Sequence, residues 1–372
     1  MIYLYSILLV SGTLALFAAL LVVAERKLLR YGPCAIEIEG RDGPPYGDCP
    51  DVGTVPIGGS VPYSPARKFV VEGGQDLLTA LAEEGIYVPS LCGRRGTCGY
   101  CKVQVLSGGG PALPTELLYL TPDELRSGTR LACQVKVREN LRLRASGTLL
   151  AAANFRARVS AVLALTPTVR EIRLRLEDPR SLAFSPGQYI QIEIPGGGDE
   201  PVFRAYSIAS PVYETAELAL DVERVPGGAG STWLHGLEPG DVVHFTGPYG
   251  EFRLSEDPEV EVVCVAGGCG LAPMKSIIYS VLDRWPGRSC RLFYGYRSAP
   301  DAFYLQVYQR LAKEYPNFRL VSAAGFIHET VQRELAPGPR RQAFLCGPPE
   351  MVEAVAAVLR GKGVEDIYSD AF

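Results

Sequence analysis

The chain has 372 residues, 47% hydrophobic and 21% charged, with a formal net charge of −4; this is too long for one compact core and too mixed in charge for a disordered acidic tail or a basic nucleic-acid footprint. Forty Gly and 29 Pro without a Gly-X-Y period predict many turns and strands and exclude collagen. Ten Cys are unevenly spaced, and four of them sit in one constellation that reads as metal binding and not as a disulfide framework, while three His leave little room for a His-based metal site.

Ile2 to Ala24 carry no charge. At 1.5 Å per residue such a run covers roughly the 30 Å hydrocarbon core, so residues 1–24 are predicted as a transmembrane helix. Glu25-Arg26-Lys27 and Arg30 follow the run, and no Lys or Arg precedes it. The positive-inside rule then puts the soluble bulk in the cytoplasm, as a single-pass protein of the inner (cytoplasmic) membrane. A cleaved signal peptide would need a basic start and a shorter apolar stretch. With no ionisable residue inside the span, the chain has no ion path of its own.

Residues 25–150 read as one domain. Cys34 to Glu39 alternates like a strand, and the Gly/Pro-rich stretch at 40–66, containing Cys49, reads as an insertion in its first hairpin. Neither Cys34 nor Cys49 is assigned chemistry. Arg67 to Glu72 is a predicted strand, and Gln75 to Glu84 a predicted helix with Leu77, Leu78 and Leu81 on one face. Next come Cys92, Cys98 and Cys101 in a Gly-rich loop, then Cys133 after a long gap. Two bridged irons need four converging thiolates, and Gly93, Gly96 and Gly99 let backbone N–H groups approach the sulfurs. A zinc site would favour two short Cys-x2-Cys pairs, and only one is present. A [2Fe–2S] cluster on Cys92, Cys98, Cys101 and Cys133 is the expectation. The segment resembles a β-grasp ferredoxin domain of α+β class. Its five-residue first gap is similar to that of adrenodoxin-like domains.

From residue 151 to 257 short alternating strands predict an antiparallel β-barrel with one polar face. Arg204-Ala205-Tyr206-Ser207 places Arg204 and Tyr206 on one side of a strand. Arginine supplies a bidentate fork, tyrosine a flat aromatic face, and Ser207 a small donor. Gly187-Gln188-Tyr189 precedes this strand. Gly228, Gly230, Ser231 and Thr232 open a helical pattern suited to phosphate, and Gly247-Pro248-Tyr249-Gly250 follows. Together these resemble the flavin domain of the ferredoxin–NADP⁺ reductase superfamily. The resemblance implies FAD, held by Arg204, Tyr206, Ser207, Gly187, Gln188, Gly228, Gly230, Ser231 and Thr232.

Residues 258–372 alternate strands with helices, which predicts a doubly wound α/β domain with ligands at the strand C-termini. Val260 to Ala266 runs into Gly267-Gly268-Cys269-Gly270-Leu271-Ala272-Pro273, with a helix predicted from Lys275. Further strands are Cys290 to Tyr294, Arg319 to Ser322 and Gln342 to Cys346, with a helix over Ala302 to Tyr315. The last strand ends in Gly347-Pro348-Pro349. The pair of Gly-rich turns resembles the nicotinamide domain of the same superfamily. This implies NADH, with Gly268, Gly270, Pro273, Gly347 and Pro348 beside the dinucleotide and Arg297 and Ser298 by the adenosine ribose. It also implies Cys346 near the reacting nicotinamide carbon and Phe372 covering the flavin face.

The resemblance spans the whole chain and is nearest to the F subunits of Na⁺-translocating NADH:quinone reductases. The predicted span, Leu113-Pro114-Thr115-Glu116, Arg130-Leu131-Ala132-Cys133-Gln134-Val135 and Gly325-Phe326-Ile327-His328 carry it. It departs in two places. Only Gly196 to Val202 stands where that family has a long insertion, and the loop containing Cys49 is extra. The implied activity is hydride transfer from NADH to FAD, then single electrons to the cluster and on to other membrane subunits, with quinone as the indirect acceptor. Ser207, Cys346 and Phe372 are the expected catalytic residues. The alternatives are a membrane-tethered reductase serving an oxygenase and, from another class, a non-catalytic assembly subunit.

Overall fold

The computed structural model describes residues 31–40, 67–145, 147–196, 202–250, 252–338 and 340–371. The predicted membrane span, Cys49 with most of its loop, and Phe372 lie outside these residues. No helix among the described residues is long and apolar enough to cross a membrane. The chain divides into two compact units, the first running to Gly147 and the second from Thr148.

The first unit is a five-stranded sheet. Its strands are β1 (Pro33–Gly40), β2 (Arg67–Glu72), β3 (Lys102–Ser107), β4 (Thr129–Leu131) and β5 (Leu141–Ala145). The order is β2-β1-β5-β3-β4, with β1 and β5 parallel and every other pair antiparallel. Helix α1 (Leu77–Glu83) begins where Asp76 caps it, the Thr79 N–H donating to Asp76 Oδ1 at 3.0 Å. Leu77, Leu78 and Leu81 are buried, as their spacing predicts. A short α2 (Pro122–Arg126) carries a capping box between Thr121 and Glu124.

The second unit opens with α3 (Gly147–Ala151) and then a six-stranded antiparallel sheet. Its strands are β6 (Ala153–Ala164), β7 (Val169–Asp178), β8 (Tyr189–Ile194), β9 (Val202–Ser207), β10 (Glu217–Glu223) and β11 (Val242–Tyr249). The order is β10-β7-β6-β11-β8-β9. The sheet curls on itself: the Ala209 N–H just past β9 donates to the Ala219 carbonyl of β10 at 2.8 Å. Helix α4 (Ala229–His235) lies between β10 and β11. Phe155, Val159, Ile172, Leu174, Ile190, Ile192 and Phe245 fill the interior.

A parallel sheet follows, ordered β14-β13-β12-β15-β16 from β12 (Glu261–Gly267), β13 (Cys290–Tyr296), β14 (Phe318–Ala324), β15 (Arg341–Gly347) and β16 (Asp366–Ala371). Helices α5 (Leu271–Arg284), α6 (Leu305–Glu314), α7 (Ile327–Glu334) and α8 (Pro349–Gly361) connect the strands. Two details depart from the sequence expectation. Helix α5 starts at Leu271, not Lys275, because Pro273 sits in its first turn, where no N–H is needed. Residues 366–371 pair parallel with β15, although they lack an alternating apolar pattern; the strand lies at the sheet edge and half its residues stay exposed.

Candidate functional site

The four cluster cysteines form two pairs. Cys101 and Cys133 lie 3.3 Å apart, sulfur to sulfur, and Cys92 and Cys98 hydrogen-bond through their thiols. Among the described residues no group of three or more His, Cys, Asp or Glu is arranged to hold one metal ion. Two pairs, each able to grip one iron, suit a two-iron cluster. The surrounding donors suit it as well. The Cys101 thiol, the Gln134 amide (3.5 Å) and the Gly96 N–H converge on Cys133 and bring it down to about 6 against the effect of burial. Burial would raise Cys92, but the N–H groups of Thr97 and Arg95 and the Cys98 thiol outweigh it and lower that thiol. Their partners Cys98 and Cys101 are pushed up, Cys98 mainly by burial and Cys101 mainly by its hydrogen bond to Cys133. In each pair one thiol is thus lowered and its partner raised, and the lowered one gives up its proton to a metal more readily.

Just before Cys133 in the chain, Arg130 forms a buried ion pair with Glu116. Arg130 Nε and Nη2 donate to Glu116 at 2.9 and 2.6 Å, and the Leu131 N–H adds 2.9 Å to the same carboxylate. The remaining Arg130 nitrogen donates to the Gly109 and Gly110 carbonyls, both at 2.8 Å.

In the barrel, Arg204 and Tyr206 lie two apart on β9, as the alternation predicts, with Ser207 at the strand's end. The first turn of α4 packs onto them. A Cβ on Gly230 would stand 2.8 Å from Arg204 Cγ and 2.9 Å from the Tyr206 hydroxyl. A cationic fork, an aromatic face and a helix start thus share one small cradle, which fits a flavin and its pyrophosphate. Burial pushes Tyr206 up to about 12, so its phenol stays protonated. Two neighbouring side chains are engaged elsewhere. Gln188 accepts from the Ser185 N–H (2.7 Å) and donates to the Gly250 carbonyl (3.3 Å), bracing the turns on either side. Ser231 Oγ accepts from the Val225 N–H at 3.0 Å and so shapes the approach to α4.

In the parallel sheet the strand order reverses between β12 and β15, the place where such sheets bind ligands. The turns after these two strands pack back to back. A Cβ on Gly270 would lie 2.0 Å from the Cys346 carbonyl oxygen, so only glycine fits there. Gly347 and Pro348 continue from Cys346 into α8. This paired turn suits a dinucleotide lying over the strand ends. Cys346 itself is fully buried, and burial, with Asp370 and Cys269 nearby, holds its thiol neutral. Arg297 and Ser298 are exposed past β13, where the Ser298 hydroxyl donates to Asp301 at 2.7 Å.

Sequence reasoning missed a cluster of Glu171, Arg173, Asp221, Lys275 and Tyr304, which joins the barrel to the parallel-sheet layer. Its members lie far apart in sequence and follow no motif, so no local signal could find them.

Comparison with known proteins finds three domain families along the chain. Residues 63–138 match the 2Fe-2S iron-sulfur cluster binding domain family, 156–254 the oxidoreductase FAD-binding domain and 264–357 the oxidoreductase NAD-binding domain. The F subunit of the Na(+)-translocating NADH-quinone reductase of Neisseria meningitidis serogroup C is 33% identical over 81% of this chain and 87% of its own length. That of Methylococcus capsulatus is 33% identical over 82% and 89%. The chain belongs to the family of these F subunits. It is an NADH oxidoreductase with FAD, NAD and [2Fe–2S] domains. Among solved structures, an Amycolatopsis cytochrome P450 reductase is 34% identical with a TM-score of 0.67, over 82% of this chain and 96% of that one. A ferredoxin reductase in carbazole 1,9a-dioxygenase is 26% identical with a TM-score of 0.62, over 91% and 99%.

Proposed function

We propose that the chain is the NADH-oxidising entry to a membrane-bound redox complex. It would pass electrons to partner subunits and, through them, to quinone, from the cytoplasmic face of the inner membrane. The observation that carries this reading is the span of its likeness to the F subunits, which takes in the cluster, flavin and nicotinamide domains together. FAD supplies the two-to-one electron exchange between NADH and a one-electron cluster. Everything else falls to side chains of this chain.

Arg204 and the start of α4, at Gly228, Gly230, Ser231 and Thr232, would hold the flavin pyrophosphate. Tyr206 would offer its face to the flavin ring and Ser207 its hydroxyl as a donor, while Gly187 and Gln188 would fix the adjoining turn. Gly268, Gly270, Pro273, Gly347 and Pro348 orient the dinucleotide, with Arg297 and Ser298 at its adenosine end. The neutral Cys346 would lie near the reacting carbon, and Phe372 is the residue assigned to cover the flavin face. Cys92, Cys98, Cys101 and Cys133 hold the cluster. No general acid or base is required. Residues 1–24 anchor the chain.

The test is extraction of the native protein in detergent. Copurification with integral membrane subunits and NADH-dependent quinone reduction support the proposal. Recovery as a single polypeptide that reduces no quinone overturns it. The Amycolatopsis P450 reductase, matched over nearly its whole length, favours a second reading, a tethered reductase supplying an oxygenase. Copurification with such an oxygenase would select that reading.

A further inference from the structure

Glu171 and Arg173 on β7 and Asp221 on β10 belong to the flavin barrel, while Lys275 on α5 and Tyr304 just before α6 belong to the nicotinamide domain. The Tyr304 hydroxyl bridges the two. It meets Glu171 Oε2 and lies 3.1 Å from Asp221 Oδ1. Lys275 Nζ donates to Glu171 at 3.0 Å, reaches the Tyr304 oxygen at 3.3 Å and stands 4.3 Å from that ring's centroid. Arg173 donates to the other Glu171 oxygen at 2.7 Å. Tyr304 holds this place with φ +58°, a left-handed backbone that an aromatic residue adopts only when its surroundings enforce it.

Proton counting decides how the cluster works. A phenol has one hydrogen and two carboxylates face it. Glu171, paired with Lys275 and Arg173, is the ionised one: burial opposes ionisation, but these cations and the Tyr304 hydroxyl bring it down to about 2. The phenol hydrogen then goes to Glu171, and the contact with Asp221 is a hydrogen bond only if Asp221 carries a proton and donates it to the Tyr304 oxygen. Asp221 is 7% exposed, and its Oδ2 has no partner among the described residues, so the ionised form is poorly served. Cys269, Tyr294 and Tyr308 also face Asp221, but burial keeps all three neutral, so they bring no compensating charge.

We propose that Asp221 and Tyr304 form a proton-dependent latch between the flavin barrel and the nicotinamide domain. This makes Asp221 a positioning residue for hydride transfer. Protonated, Asp221 closes the chain of hydrogen bonds across the two domains. Ionised, it gives its proton to solvent and leaves two carboxylates facing one phenol. A cavity of about 360 Å³ is lined by Glu171, Arg173, Lys275 and Tyr304 and so reaches the hydrogen-bond partner of Asp221. Burial, opposed by Lys275 and reinforced by the Glu171 charge, pushes Asp221 up to about 6. Because this folded-state value is raised, the contribution of Asp221 to stability is full below its ordinary 3.8 and is lost as pH rises through about 6.

The latch rests on hydride passing between these two domains, and the experiment separates the two claims. The full chain with FAD bound is mixed with NADH between pH 5 and 8, and flavin bleaching is followed by stopped flow. The wild type should bleach throughout, two- to tenfold faster on the acid side of a step near pH 6. Asp221→Asn should flatten the profile at the fast limb, and Tyr304→Phe should flatten it at the slow limb, both with full flavin content. A wild type whose flavin is not bleached by NADH at any pH overturns the oxidoreductase reading itself. Normal bleaching in which either folded variant keeps the wild-type step overturns the latch alone.

Discussion

Arg130 and Glu116, fourteen residues apart, meet in the interior of the cluster unit as a two-pronged ion pair in which Glu116 is fully buried. Buried ion pairs add little when intact but cost about 3–5 kcal/mol when one partner is removed, because a charge is left stranded. Arg130 stands three residues before Cys133, the proposed cluster ligand, so the damage should reach the cluster. Glu116→Ala is expected to yield protein with little bound iron and a lower unfolding temperature, with the barrel unit still binding flavin. Iron content and thermal melting check this. Full iron loading in a melt-neutral variant would deny the anchoring role.

The same pair sets an acid limit. Burial works against ionisation of Glu116, but Arg130 and the N–H groups of Leu113 and Leu131 outweigh it and hold its carboxyl below the usual 4.5. Its folded-state value is lowered, so its stabilisation is complete above about pH 4.5 and is lost as pH falls through the folded value. Cluster absorbance at 50 °C should therefore hold steady from pH 7 to 5 and decline more steeply below that. Glu116→Gln should remove the steep part.

How much of this was legible in the sequence depended on how local each feature is. Strands β6 and β7, helix α1 and the loop of Cys92, Cys98 and Cys101 carry their periodicity or spacing within a dozen residues and were readable. Strand β16 was not, because an edge strand with exposed Asp366 needs no apolar alternation. The pairing of the four ligands could not be read either, since spacing gives candidates and not which sulfur faces which. Gln188 and Ser231 matched motifs, yet their side chains brace backbone, a role that spacing cannot distinguish from ligand contact.

Cys98→Ala should abolish the cluster and spare the flavin reaction. Cys98 pairs with Cys92 in the first unit, while flavin and nicotinamide belong to the second. NADH oxidation by an artificial acceptor that draws on FAD is expected to persist within about twofold, on the order of 0.4 kcal/mol. Electron delivery beyond the cluster should cease. If stopped-flow bleaching of bound flavin were lost too, the order of carriers would be wrong.

Arg204→Ala and Tyr206→Ala should each weaken flavin retention. Losing a charge-assisted contact to phosphate costs on the order of 2–3 kcal/mol, about a hundredfold in affinity. Gel filtration after dilution should strip most FAD from both variants. Stoichiometric flavin in the eluted protein would remove Arg204 and Tyr206 from the site.

Gly270→Ala tests the paired turn at the β12–β15 reversal. The new Cβ would stand 2.0 Å from the Cys346 carbonyl oxygen and 2.4 Å from its carbon, both backbone atoms that no rotamer change can clear. One turn must therefore shift away from the other, a rearrangement worth about 1–3 kcal/mol in a packed interior. Both turns are assigned to the nicotinamide nucleotide and neither to flavin. The loss should thus appear as a KM for NADH raised about tenfold or more, with bound FAD stoichiometric and its visible spectrum unchanged. Alanine at Gly287 is the control, because its Cβ would meet nothing within 4 Å. If both variants bind NADH like the wild type, the close approach at Gly270 plays no part in holding the dinucleotide.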